Sequence, residues 1–210
     1  MGKPRPHPPT LLIAAIFSRH DQALDWALQR IGHSWGKLLC ASDRFEHNET
    51  AYYSRLMGEG LRKQLIAVQG DFDPAQLASL KLCSNDWESE YAQLHTFSEE
   101  RPLNIDPGYL TPMKVVLAST KDRAHRIYLR DGIFAEECLV YHQRTWQGRP
   151  WTYPDYLRAD YHAFFQRVRD HLQLRLKELS AVAPAADHTS SELNSLNDAL
   201  PNDPKMKAKT

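Results

Sequence analysis

The chain has 210 residues, of which 42% are hydrophobic and 25% charged, enough for one well-buried core of ordinary globular composition. Lys+Arg and Asp+Glu both number 26, so the net charge of zero supplies no global field for nucleic acid or an anionic membrane, and any such binding must be local. The longest apolar run, residues 11–17, is too short to span a bilayer, no apolar signal region opens the chain, and Pro6 excludes myristoylation, so a cytoplasmic protein without a membrane partner is expected.

Residues 1–9 are proline-rich and basic and predict a disordered lead-in to a single α+β domain over 10–180. The continuous apolar run at 11–17 predicts a central strand covered on both faces. Ser18 followed by Asp21 marks a helix start, after which Leu24, Ala27, Leu28 and Ile31 recur at helical spacing as far as Gly32. Residues 37–42 and 62–69 read as the second and third strands. Asp73-Pro74 opens the next helix, with Asp as cap, Pro at the first position and Gln76 completing a capping box. Leu77, Leu80, Trp87, Tyr91 and Leu94 form its apolar stripe, which Ser84 interrupts.

Strands follow at 103–106, 113–118, 125–129 and 133–141, the last two joined by Asp131-Gly132, a tight-hairpin signal because both residues tolerate positive φ. An aromatic loop at 151–156 leads to a final helix with Phe165, Val168, Leu172, Leu176 and Leu179 on one face. From residue 181 the composition shifts to Ala, Pro, Ser, Asn and Asp and predicts a disordered tail. The order of elements predicts an α+β fold, a ferredoxin-like split βαβ sandwich with an added C-terminal β-hairpin and helix.

Cys40, Cys83 and Cys138 are odd in number, widely spread and free of Cys-x-x-Cys spacing, so they read as small buried hydrophobes, and no metal site is expected. Cys138 stands beside Glu136 and Glu137, which disfavours a thiolate. No Gly-x-x-x-x-Gly-Lys-Ser/Thr loop is present to wrap a triphosphate.

The chemistry concentrates at 104–128. Asp106-Pro107-Gly108 reads first as a turn, Pro setting φ and Gly accepting positive φ; the alternative turns Asp106 toward cations as metal ligand or base, with Tyr109 stacking on a ligand ring. Lys114, Lys121, Arg123, His125 and Arg126 surround a basic turn in which Ser119, Thr120 and backbone N–H groups make an anion-binding nest with Lys121, and Arg126 adds a forked contact for phosphate or carboxylate. The competing reading is a solvated hairpin tip. Glu136 and Glu137 face opposite sides of their strand, and whichever points inward needs Lys114 or Arg126 as partner. His125 has no second histidine at metal-ligand spacing, and Tyr153 among its aromatic neighbours suits either packing or a pocket rim.

At 104–110, 117–122 and 125–129, with Gly132-Ile133, Ala135-Glu136 and 151–156, the chain resembles the domain of unknown function 4416 family of prokaryotic proteins. Tyr52-Tyr53, Met57-Gly58, Lys81-Leu82 and Asn85 agree with the resemblance, which spans residues 11–172. It implies no established activity. Three functions stay open: binding of a small phosphorylated ligand or nucleotide through the basic turn; a metal-assisted enzyme acting on such a ligand, with Asp106 or Glu136 as base or metal ligand and His125 as acid; and an RNA- or protein-interaction module. Nucleic acid is the less expected partner, since the strands lack an alternating aromatic pattern and the net charge is zero. Cofactor and oligomeric state have no signature in the sequence.

Overall fold

Strand β1 (Leu11–Ser18) is buried along its whole length and lies antiparallel between β4 (Arg62–Val68) and β5 (Asn104–Leu110). Its unbroken apolar sequence follows from having helices on both faces. Leu12, Ala14 and Ile16 pack under α1 (Asp21–Ser34) and α3 (Leu77–Leu94), while Leu11, Ile13 and Ala15 pack under α4 (Ala159–Val182). The computed structural model describes residues 2–3, 6–48, 53–94 and 96–182; α4 takes in the first two residues of the tail expected from 181, and Tyr52 and the rest of that tail, 183–210, lie outside the described residues.

Among the described residues the sheet holds the seven expected strands and two more. Its order is β2 (Leu38–Ala41), β4, β1, β5, β6 (Lys114–Ser119), β8 (Ile133–His142), β7 (Ile127–Arg130), with β3 (Phe45–Glu46) on β4 and β9 (Thr145–Gly148) on β8. All these pairings are antiparallel, so the fold is a mixed α+β architecture with one nine-stranded sheet, helices α1 and α3 on one face and α4 on the other. A short helix, α2 (Ser54–Met57), precedes β4.

The expected hairpin forms as its sequence dictates: Asp131 and Gly132 both take positive φ, 53° and 74°, between β7 and β8. Asp73 caps the turn Pro74–Gln76 by accepting from the Ala75 N–H at 2.9 Å, and α3 follows. Ser18 does not cap α1. Its hydroxyl is buried at the end of β1, accepting from the His20 N–H and donating to the Pro102 carbonyl, and His20 is the residue at the helix N-terminus.

Asp106-Pro107-Gly108 is not a turn. All three belong to β5, paired with Ala15, Ala14 and Ile13 of β1. Gly108 is required by close approach rather than by φ, because a Cβ there would stand 2.3 Å from the Val116 carbonyl oxygen of β6. Cys138 is buried, Cys40 and Cys83 are half-buried, and all three are free thiols whose pKa burial pushes up.

Candidate functional site

The sheet opens beside Pro107. The β5–β6 ladder pairs Gly108, Tyr109 and Leu110 with Leu117, Val116 and Val115 and extends no further, so among the described residues the first half of β5 has no strand on that side. Side chains of α3 take the place of β6 there. The Ile105 N–H donates to Glu88 Oε1 at 2.7 Å, and the Ile105 carbonyl accepts from Lys81 Nζ at 2.9 Å and Ser84 Oγ at 3.1 Å. Backbone groups of alternate residues in an antiparallel strand point to the same edge, so Pro107 faces this gap, where its missing N–H leaves nothing unsatisfied.

Lys81 reaches through the opening to donate to Asp106 Oδ1 at 2.8 Å, on the far side from the helix that carries it. A lysine this buried is tolerable because both a carboxylate and a carbonyl receive it. Burial pushes the Asp106 carboxyl up, but the charge and hydrogen bond of Lys81 and the charge of Arg101 outweigh it, and the pKa lies below the ordinary range. Glu88 behaves oppositely. Burial raises it against the opposing charges of Lys81 and Arg101, although Arg101 donates to its Oε2 from Nε and Nη2 at 3.1 and 2.5 Å.

On the α4 face this opening widens into a cavity of about 370 Å³, within the range of small-molecule sites. Strand alternation delivers its walls. Phe17 continues the face of Ile13 and Ala15, Lys63 that of Leu65, Asn104 and Asp106 that of Leu110, and Ser119 that of Val115 and Leu117. The segment Pro154–Leu157, leading into α4, closes the end: Asp155 Oδ2 accepts from Lys63 Nζ at 2.6 Å, with both side chains buried, and lies 3.6 Å from His47 Nδ1.

Arg126 organises the opposite wall. It donates from Nε to Glu136 Oε2 at 2.6 Å, from Nη1 to Ser119 Oγ at 2.7 Å and the Lys121 carbonyl at 2.8 Å, and from Nη2 to the Tyr153 hydroxyl at 2.5 Å. Four of its five N–H groups are thereby committed to the protein. Arg126 is thus a brace for the turn 119–126, with little of its fork left for a ligand. The Ser119 hydroxyl also accepts from the Lys121 N–H, which shapes the turn. Burial, and then the neighbouring Glu136 charge, raise the Tyr153 pKa well above its usual value, so it stays a neutral hydroxyl.

Of the nine residues expected at a ligand site, Asp106, Thr120, Lys121, Arg126, Glu136 and Tyr153 line this one cavity. His125 stands just behind, stacked on Trp151 with ring centroids 5.2 Å apart and its Nε2 3.5 Å from Glu136 Oε2. Glu136 and Glu137 point apart as alternation requires, Glu137 meeting Arg149 instead. Tyr109 and Lys114 are elsewhere. Both lie toward the other end of their strands, Tyr109 against Phe72 and Lys114 opposite Val140, outside the lining. The cations that meet Asp106 are also different from those expected, being Lys81 and Arg101 rather than the 114–126 group.

Lys63, Lys81, Arg101 and Asp155 complete the site and were not anticipated. One signal was present: Leu77, Lys81, Ser84 and Glu88 share a helical face, so the Ser84 interruption of the apolar stripe belongs to a buried polar row.

Residues 8–172 match the family described as Domain of unknown function (DUF4416). The chain belongs to this family. The match spans all the cavity walls described above. Within this DUF4416 chain, the runs at 104–110, 117–122 and 151–156 that carry the resemblance supply residues of the lining. No match was found among curated proteins or among solved structures.

Proposed function

We propose that the protein binds a small phosphorylated ligand, a nucleotide among the candidates, in the cavity at the opened β5–β6 edge. The observation that carries this reading is the balance of the lining, where the cations Lys63, Lys81, Arg101, Lys121, Arg123 and Arg126 outnumber the carboxylates Asp106, Glu136 and Asp155. Cations gathered in a concave, partly water-excluded site attract phosphate more strongly than the same charges on an open surface. Part of the site lies where β1, β4 and β5 come together. The order β2-β4-β1-β5 with α1 and α3 on one face supports a ferredoxin-like half as its scaffold.

Thermal shift with inorganic phosphate, pyrophosphate, sugar phosphates and nucleotides tests the reading. A true ligand at a hundred times its Kd adds about 2.7 kcal/mol of stability, or roughly 5–10 °C in Tm for a domain of this size. A panel in which no phosphorylated compound raises Tm overturns it.

An enzymatic reading has one supporting observation, the placement of His125 Nε2 beside the Glu136 carboxylate at the cavity wall. Among the described residues no three His, Cys, Asp or Glu side chains converge as a metal-ligand set. Turnover of a bound phosphorylated compound that is lost in His125→Gln, while binding persists, would favour it.

A further inference from the structure

The charges of the site are segregated by depth. Lys63, Lys81, Glu136 and Asp155 are almost completely buried, and the Arg126 side chain is 6% exposed. Glu88, Asp106, Glu136 and Asp155 are matched in sign and number by Lys81, Arg101, Arg126 and Lys63, so the interior is close to neutral. Two further lining cations, Lys121 and Arg123, stand on the exposed turn that follows β6, with the Thr120 hydroxyl beside them. Asp122 lies between them in sequence and is absent from the lining.

The interior also has polar capacity that its own ion pairs do not use. Glu136 Oε1 and the Tyr156 hydroxyl are buried on lining residues and have no hydrogen-bond partner among the described residues. An unpartnered buried carboxylate oxygen calls for a donor, a role that a hydroxyl fills and a phosphate oxygen does not. Asn85 adds an amide to the same interior, and Phe17, Tyr153 and Tyr156 supply ring faces and edges.

We infer that the ligand is a phosphate monoester of a neutral, hydroxyl-bearing ring, held with its phosphate at the 119–123 turn and its ring in the interior against Glu136, Asn85 and the aromatic wall. This inference rests on the phosphorylated-ligand reading above and adds to it a polarity and a substrate class. The placement of Thr120, Lys121 and Arg123 on the exposed turn suits the dianionic charge of a monoester. A neutral body avoids placing further charge in an interior whose own charges already cancel.

The test uses the full chain with four probes: inorganic phosphate, ribose, ribose 5-phosphate and adenosine 5′-monophosphate. Ribose 5-phosphate or the nucleotide is expected to half-saturate the thermal shift at a concentration at least ten-fold below that of inorganic phosphate, with ribose alone giving no shift. Comparison of those two probes tells a free sugar phosphate from a nucleotide as the source of the same chemistry. The double variant Lys121→Ala/Arg123→Ala is expected to weaken every phosphorylated probe at least ten-fold. Asn85→Ala, in the interior, is expected to narrow the preference for ribose 5-phosphate over inorganic phosphate while leaving the phosphate response in place. Glu136→Gln is read the same way against its own unliganded Tm, so that lost stability is not mistaken for lost binding. Equal response to inorganic phosphate and to both ribose esters overturns this inference and leaves the broader reading standing. Absence of any phosphorylated response overturns both.

Discussion

Arg126 shows how one side chain converts a flexible-looking basic stretch into a wall. It ties Ser119, the Lys121 carbonyl, Glu136 and Tyr153 together, so its removal leaves a buried carboxylate without its cation. Arg126→Ala is expected to lower unfolding free energy by about 3–5 kcal/mol in urea denaturation, with Arg126→Lys recovering only part because an ammonium cannot reproduce the fork. Glu99 offers a test of electrostatics away from the cavity. Burial would raise its pKa, but hydrogen bonds from His20, Ser98, its own backbone and Arg19 win, lowering it from 4.5 to about 2. Because the folded pKa lies below the unfolded one, the stabilisation is complete above about pH 5 and is lost as pH falls toward 2. Stability measured across that window is expected to fall with acidification in the parent and to fall less in Glu99→Gln.

The elements differ in how openly the chain declares them. Gly108 and Gly132 look equivalent in sequence but are held for different reasons. Gly108→Ala drives a Cβ into the β6 backbone and is expected to cost about 1–3 kcal/mol, whereas at Gly132 no atom lies within 4 Å and only the φ of 74° opposes a side chain, at about 1–2 kcal/mol. Denaturation of Gly108→Ala, Gly132→Ala and Gly132→Asn separates the causes, since Asn tolerates positive φ and is expected to recover most of the loss at 132. The β8–β9 hairpin turns through Gln143 and Arg144, both at positive φ, 49° and 64°. Neither residue announces such a turn, so β9 was invisible beforehand; Arg144→Gly is expected to raise stability by roughly 0.5–1 kcal/mol. The central strand, the Asp-Gly hairpin and the capped entry to α3 were legible because alternation, φ preference and capping are local properties. The Pro107-Gly108 pair hides its place for the same reason: locally it resembles a turn, and only the departure of β6 beside Pro107 and its close approach at Gly108 account for the pair inside a strand.

Across the whole molecule the site is assembled from long-range pairs that no local window contains. The 119–126 part was legible because its hydroxyls, cations and His125 are contiguous. Lys63 and Asp155 were not, being 92 residues apart and joined only when the segment entering α4 closes over β4. Lys63→Met, which strands the Asp155 carboxylate, is expected to lose about 3–5 kcal/mol, while Lys63→Met combined with Asp155→Leu is expected to return close to parental stability. A double variant no more stable than the single would assign the loss to packing of the lysine stem instead.

A sheet ordinarily separates the two layers it carries, since its backbone hydrogen bonds leave no passage for a side chain. Where β6 parts from β5, Lys81 passes from the α3 layer to the carboxylate of Asp106 on the α4 side. That opening makes the sheet a window as well as a floor. Whatever draws Asp106 toward the cavity must also pull on Lys81, and through it on the Ile105 carbonyl and the helix behind. The two faces of the molecule therefore share a mechanical link that a continuous sheet would forbid.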